Sequence, residues 1–276
     1  MQALQQALRH YLLAVQFFTR IPVTGRLAAW VGYSPAMLRA SGAHFPGVGV
    51  LVALAACASY GVLALALAYS PWASAVAAVG GTIATVLLTG GFHEDGLADM
   101  ADGLGGSADA ARALDIMKDS RIGAYGSMAL VLALLAKCLL LALLGAHSLG
   151  AALAALAGGQ VLSRFWPLFI IRSLPHVGDS ARSKSKPLAD QISAAALAAA
   201  GLWCIPALGL VWQAQGALFL IVTVLCSAFA AWRVQRLCAR RLQGFTGDCL
   251  GAAQQVGEIG FYLGAALALG LAQQVA

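Results

Sequence analysis

Seven apolar runs, each close to the roughly 20 residues needed to cross a bilayer, occupy most of this 276-residue chain. They lie at approximately 45–69, 71–90, 124–146, 149–171, 191–212, 214–232 and 257–275. The intervals between them are too short for a separate soluble domain. A hydrophobic share of 61% also exceeds the roughly 45–50% of soluble domains. The expected fold is all-α: one polytopic membrane helical bundle over 1–276 with about seven transmembrane helices. Ser70–Pro71 joins the first two runs as a tight helical hairpin. The opening "MQALQQALRHYLLAVQFFTR" mixes Gln, Arg and His with apolar residues and lacks the small-residue cleavage site of a secretory signal. Residues 1–44 are therefore expected to form a retained interfacial region that begins with an amphipathic helix. The six cysteines, at 57, 138, 204, 226, 238 and 249, are dispersed without a CxxC pair, as suits packing thiols.

The charges set an orientation. When the connections are assigned alternately to two sides, one side receives fifteen of the seventeen Lys and Arg residues. They fall before residue 44 and in 91–123, 172–190 and 233–256. The other side receives none, and Lys137 and Arg164 fall inside spans. The positive-inside rule makes the charged side and the N-terminus cytoplasmic, with the C-terminus outside. Arg164, in "VLSRFWPLF", must face the interior and find a partner because intramembrane charge is costly. Lys137, in "ALLAKCLLL", is expected to snorkel.

Seven of the eleven acids fall between Glu94 and Asp119, within and after "GGFHEDGLADMADGLGGS" (90–107). At about 100° per residue, Asp95, Asp99 and Asp102 share one helix face, while Glu94 points elsewhere. Like charges at these spacings cost roughly 0.2–0.5 kcal/mol per pair, so something positive should offset them. Hard oxygen donors without His–Cys spacing favour Mg²⁺, or Mn²⁺, over zinc. The bland alternative is a solvated loop, which needs no helical phase. His93 is by itself an ordinary packing or interfacial histidine, with proton transfer or ligation as the functional alternatives. In "DIMKDSRIGAYG" (115–126), Lys118, Asp119, Ser120 and Arg121 suit phosphate contacts and a further metal ligand; a cap and anchor is the plainer reading. "FTGDCLGAAQQVGEIGFYL" sets Asp248 and Glu258 around a glycine-rich turn, a weak signal alone. Basic segments facing acids on one side suit a polyanionic substrate.

At these residues the chain resembles the cobalamin synthase family, the adenosylcobinamide-GDP ribazoletransferases of vitamin B12 assembly. The resemblance runs nearly end to end, through "VQFFTRIPV" (15–23), "HFPGVGV" (44–50), "TGGFHEDGLADMADGLGG" (89–106), "IMKDSRIGAYG" (116–126) and "FTGDCLGAAQQVGE" (245–258). His93, Asp95, Gly96, Asp99, Asp102 and Gly103 match its acidic signature. Lys118, Asp119, Ser120, Arg121 and Gly123 match its second motif, and Thr246, Gly247, Asp248, Gly251 and Glu258 its third. Glu94 stands where Leu is common among relatives and receives no essential role.

The resemblance implies a Mg²⁺-dependent phosphotransferase of the cytoplasmic (inner) membrane with its active face cytoplasmic. It would join adenosylcobinamide-GDP to α-ribazole or α-ribazole 5′-phosphate, releasing GMP. Asp95, Asp99 and Asp102 would hold one or two Mg²⁺, with Mn²⁺ as a substitute, and Asp119 and Asp248 would be further ligands or one of them the base. Lys118 and Arg121 would neutralise the GMP phosphate. His93, Ser120, Thr246, Gly247, Asp248 and Glu258 would contact substrate, and Arg164 is a further substrate-contact candidate from its place inside a span rather than from a family motif. The lipid bilayer is an expected partner and nucleic acid is not; a homo-oligomer or association with late corrin-pathway enzymes is a further expectation. A CDP-alcohol phosphotransferase would need D-G-x-x-A-R, but Asp95–Gly96 is followed by Leu97–Ala98–Asp99. A cation-coupled transporter would place its acids near the midplane, whereas these cluster on one face.

Overall fold

The computed structural model describes residues 2–178 and 192–275. Arg182, Lys184 and Lys186, part of the orientation argument, lie outside the described residues. The N-terminal region is α1 (Gln2–Phe18), α2 (Gly25–Val31), α3 (Pro35–Ser41) and a 3-10 turn at Gly42–His44. The bundle continues with α4 (Phe45–Ala66), α5 (Ala73–Thr89), α6 (Phe92–Gly106), α7 (Ala110–Met117) and α8 (Ala124–His147). It ends with α9 (Leu149–Leu162), α10 (Pro167–Ser173), α11 (Ala194–Arg241) and α12 (Gly247–Val275). Among the described residues there is no strand, only an isolated bridge between His176 and Phe245.

Among the described residues, five helical stretches are long and apolar enough to cross a membrane, and the bent pair α5–α6 makes six. One of the five is α11, whose 48 residues would reach about 72 Å if straight, more than twice the roughly 30 Å hydrocarbon core. Gly216, at φ 84° and ψ 176°, interrupts it in a conformation that suits a residue without Cβ. Ala200 and Val234, on opposite sides of that break, share one buried cluster, so the two halves fold back on each other. Counting the halves separately recovers the seven expected crossings. The last span starts earlier than expected, because α12 begins at Gly247 rather than near 257.

Apolar side chains exposed on the outer faces, such as Leu54, Leu65, Leu132, Leu139, Ile205 and Leu225, form a lipid-facing surface rather than a water-facing one. The interior is lined by small residues. Ala151, Ala152, Ala155, Ala265 and Ala268 pack with Tyr60, Leu156, Phe261 and Tyr262 in the main core, the close packing that drives association where water cannot. Amphipathic α1 lays Leu13, Ala14, Val15 and Phe18 on Phe45, Val48 and Val52 of α4. The amphipathic helix expected at the start of the chain is present.

The α5–α6 junction positions the acids. Gly90 and Gly91 both adopt left-handed backbone, and the chain turns by 89° between the two helices. At 15 residues, or about 22 Å, and carrying four acids, α6 is not itself a crossing. It lies against α8 and α12 at the charge-bearing end.

Candidate active site

Two glycines set the site's dimensions. A Cβ on Gly96 would meet the Asp248 carbonyl oxygen at 2.9 Å, and one on Gly251 would meet the His93 carbonyl oxygen at 3.1 Å. The backbones of α6 and α12 therefore touch there, which sets Asp95 and Asp99 beside Asp248. Asp95 is exposed and Asp99 half-buried. Burial and the carboxylates of Asp95, Asp248 and Asp102 push the Asp99 carboxyl up to about 7. Thr246 Oγ1 donates to Asp248 Oδ2 at 3.1 Å, orienting it in the first turn of α12.

Asp102 shares their helix face but is buried. Its Oδ2 and Oδ1 accept the backbone N–H groups of Gly123 and Gly126, each at 2.7 Å. It thereby caps the N-terminus of α8 from another helix, where a negative charge is also favoured by the helix dipole. Arg241 secures the other end of the motif by donating to the Ser107 carbonyl at 2.7 Å.

The second motif is placed differently. Arg121 grips Asp119 through Nε to Oδ1 at 2.9 Å and Nη2 to Oδ2 at 2.6 Å. These bonds hold the Asp119 carboxyl down at about 2. Lys118 lies 3.7 Å from Asp115, and Ser120 is exposed. Lys118 and Arg121 thus pair with acids of their own segment, and among the described residues neither they nor Asp119 forms an ion pair or hydrogen bond with Asp95, Asp99 or Asp248.

Arg164 and Glu258 belong to a buried polar network, and His93 is buried beside it without a hydrogen bond from its Nε2. Lys137 is 1% exposed, so it does not snorkel. Its Nζ lies 2.9 Å from Glu258 Oε1 and 3.9 Å from Glu94 Oε1, because the interior supplies acids closer than the interface does. Glu258 also accepts from Gln160 at 2.7 Å, Tyr262 at 2.8 Å and Gln254 at 2.9 Å. Gln255 donates to Glu94 at 3.0 Å. Arg164 does face the interior, as its cost in the membrane requires, and donates to Gln160 Oε1 at 2.9 Å. His93 stacks on Phe45 at 5.6 Å. None of these three forms a hydrogen bond or ion pair with Asp95, Asp99 or Asp248.

Sequence reasoning missed Glu94, Gln160, Gln254, Gln255 and Tyr262. The available signal was polar residues at positions 254, 255 and 258 near an apolar run, with 254 and 258 one turn apart. It also missed Arg20, which shares with Asp95 a cavity of about 450 Å³.

Among the described residues, no three His, Cys, Asp or Glu side chains close on one point as a finished metal site. The acids that lie near enough to influence one another at this end are Asp95, Asp99 and Asp248. They are oxygen ligands that repel one another, and none is ion-paired with a basic side chain among the described residues.

A family model described as cobalamin-5-phosphate synthase matches residues 10–266. A relative from Polaromonas naphthalenivorans, named adenosylcobinamide-GDP ribazoletransferase, is 61% identical over 96% of this chain and 99% of its own length. Relatives of the same name from Albidiferax ferrireducens and Vibrio cholerae are 58% and 43% identical, over 96% and 94% of this chain and 100% and 94% of their own lengths. No solved structure matches significantly. With the match running from within α1 to within α12, the chain belongs to the cobalamin-5-phosphate synthase family.

Proposed function

We propose that this protein transfers the adenosylcobinamide-phosphate group of adenosylcobinamide-GDP to α-ribazole or α-ribazole 5′-phosphate, releasing GMP. The relatives' shared name supports the reaction. The observation that carries the site is the juxtaposition of Asp95, Asp99 and Asp248 at the charged end of the bundle, where burial and then the neighbouring carboxylates push Asp99 up to about 7. By the positive-inside rule that end is cytoplasmic, and the membrane is the inner one.

A free ribose hydroxyl of the acceptor, other than the 5′ position that carries the phosphate in α-ribazole 5′-phosphate, attacks the phosphorus on the cobinamide side of the diphosphate. A P–O bond forms there as the bond to the bridging oxygen breaks, GMP departs with that oxygen, and the hydroxyl proton passes to a carboxylate or to water. Mg²⁺, with Mn²⁺ as a substitute, would neutralise charge on the diphosphate, the largest need in phosphoryl transfer. Asp95, Asp99 and Asp248 would hold it. The Gly96–Gly251 contact fixes their spacing, and Thr246 orients Asp248. Asp102 keeps α8 docked on the motif. Asp119 serves as a further ligand or as the base only if the 118–123 turn closes on the site and Arg121 exchanges its acid for substrate phosphate.

The test is to incubate purified protein in lipid with adenosylcobinamide-GDP, α-ribazole and Mg²⁺, and to quantify GMP and corrin product by mass spectrometry. GMP and joined product that vanish with EDTA and with Asp99→Asn support the reading. CMP release from a CDP-alcohol, with no GMP from the corrin substrate, would replace it with lipid-type phosphotransfer.

A further inference from the structure

The cavity beside Asp95 is built from two distant segments. Gln16, Phe17, Thr19 and Arg20 close it from the end of α1, and Thr89 through Phe92 close it from the α5–α6 bend. Arg20 is held there by its backbone N–H, which donates to the Leu88 carbonyl at 2.7 Å. Thr19 ends α1 by donating to the Val15 carbonyl and accepting from the Ile21 N–H. The Arg20 side chain then lies across Gly90, where any Cβ would strike the guanidinium. Arg20 and Asp95 line the same space but form no ion pair. A cation and a carboxylate that face one cavity without cancelling leave room for a ligand that engages both.

We propose that this cavity is the diphosphate site, with Arg20 the catalytic cation that binds the diphosphate oxygens opposite the Asp95 side. The inference rests on the proposed reaction and assigns to Arg20 the neutralising role that sequence motifs gave to Lys118 and Arg121. Three features support it. The wall is mostly polar, the about 450 Å³ volume admits a diphosphate, and Arg presents a planar fork that suits phosphate oxygens. Lys118 and Arg121, by contrast, are engaged with Asp115 and Asp119. A cation lying near the last carbonyls of α5 could instead serve only to cap that helix, so the experiment separates the two roles.

Calorimetric titration of the full chain in detergent with inorganic pyrophosphate and Mg²⁺ gives binding without turnover, and the same preparations give KM for each substrate. Arg20→Gln is expected to weaken pyrophosphate ~10- to 100-fold, the range for a lost hydrogen bond to a charged group. It should raise KM for adenosylcobinamide-GDP and leave KM for α-ribazole unchanged. Arg20→Lys should recover part of the loss, and Arg26→Gln, in the neighbouring helix, should match the parent. Melting temperatures identify any variant that fails to fold, in which case Arg20→Lys alone decides by its pyrophosphate affinity. Unchanged pyrophosphate affinity in folded Arg20→Gln, or a lowered melting temperature with unchanged affinity, overturns the inference. If the parent releases GMP while Arg20→Gln binds normally, only the Arg20 role falls. If the parent binds pyrophosphate through Arg20 but releases no GMP, only the proposed reaction falls.

Discussion

Asp95 and Glu94 are adjacent in sequence, and Asp248 and Glu258 lie on one helix, yet each pair divides between two opposite environments. Asp95 and Asp248 join Asp99 at the open end of the bundle with no basic partner among the described residues. Glu94 and Glu258 sit in the interior beside Lys137. Carboxylates left unpaired near solvent have charge available for a ligand. Carboxylates paired in a medium of low dielectric are committed to the scaffold, because removing their partner leaves a desolvated charge. The same two helices, α6 and α12, thus carry the reactive set on one side and its foundation on the other.

The sharpest break is Asp99→Asn. It should lower kcat on the order of 10³-fold, the scale of losing a directly acting electrostatic group, with the melting temperature kept or raised because a repulsive charge is gone. Measuring both on one preparation tests the division; a large loss of stability would return Asp99 to the scaffold. Next in size, Lys137→Met should destabilise the bundle by about 3–5 kcal/mol, and Lys137→Met with Glu258→Gln should recover much of that. Thermal unfolding in detergent reads the cycle, and an additive double variant would mean that the two do not act as a pair.

Asp102→Ala should cost roughly 2 kcal/mol for its two charge-assisted bonds to the α8 N-terminus. Hydrogen exchange should rise first at Gly123 and Gly126; exchange unchanged there would remove the capping role. The acid face also predicts a pH slope. A carboxyl whose folded pKa is raised binds a proton more tightly when folded, so without Mg²⁺ stability should fall as pH rises from about 4 through about 7. Asp99→Asn should flatten that slope, and a slope that persists would place its origin elsewhere. At the small end, Arg121→Gln should leave the melting temperature within error, since exposed ion pairs contribute little.

The spans were legible because a bilayer demands apolar length and little else. Even the hairpin inside α11 followed from its two apolar runs, with Gly216 supplying the turn. Asp95 and Asp99 were legible from helical phase. Phase could not show that Asp102, on the same face, meets the α7–α8 turn and gives both oxygens to Gly123 and Gly126. Lys137 was misread because an isolated lysine in an apolar run shows only its reach, and its acids lie 43 residues before it and 121 after. Arg20 was hidden for the same reason: its neighbours come from a bend about 70 positions away that only folding brings near.

The buried network has a consequence for a protein in an energised membrane. Moving one charge through a membrane potential involves about 2.3 kcal/mol per 100 mV, and a helical interior with net charge would feel that as a force. Here Lys137 and Arg164 are matched by Glu94 and Glu258, so this network sums to zero and the voltage has little to act on within it. Turnover in sealed vesicles should therefore be the same whether the membrane is polarised or short-circuited.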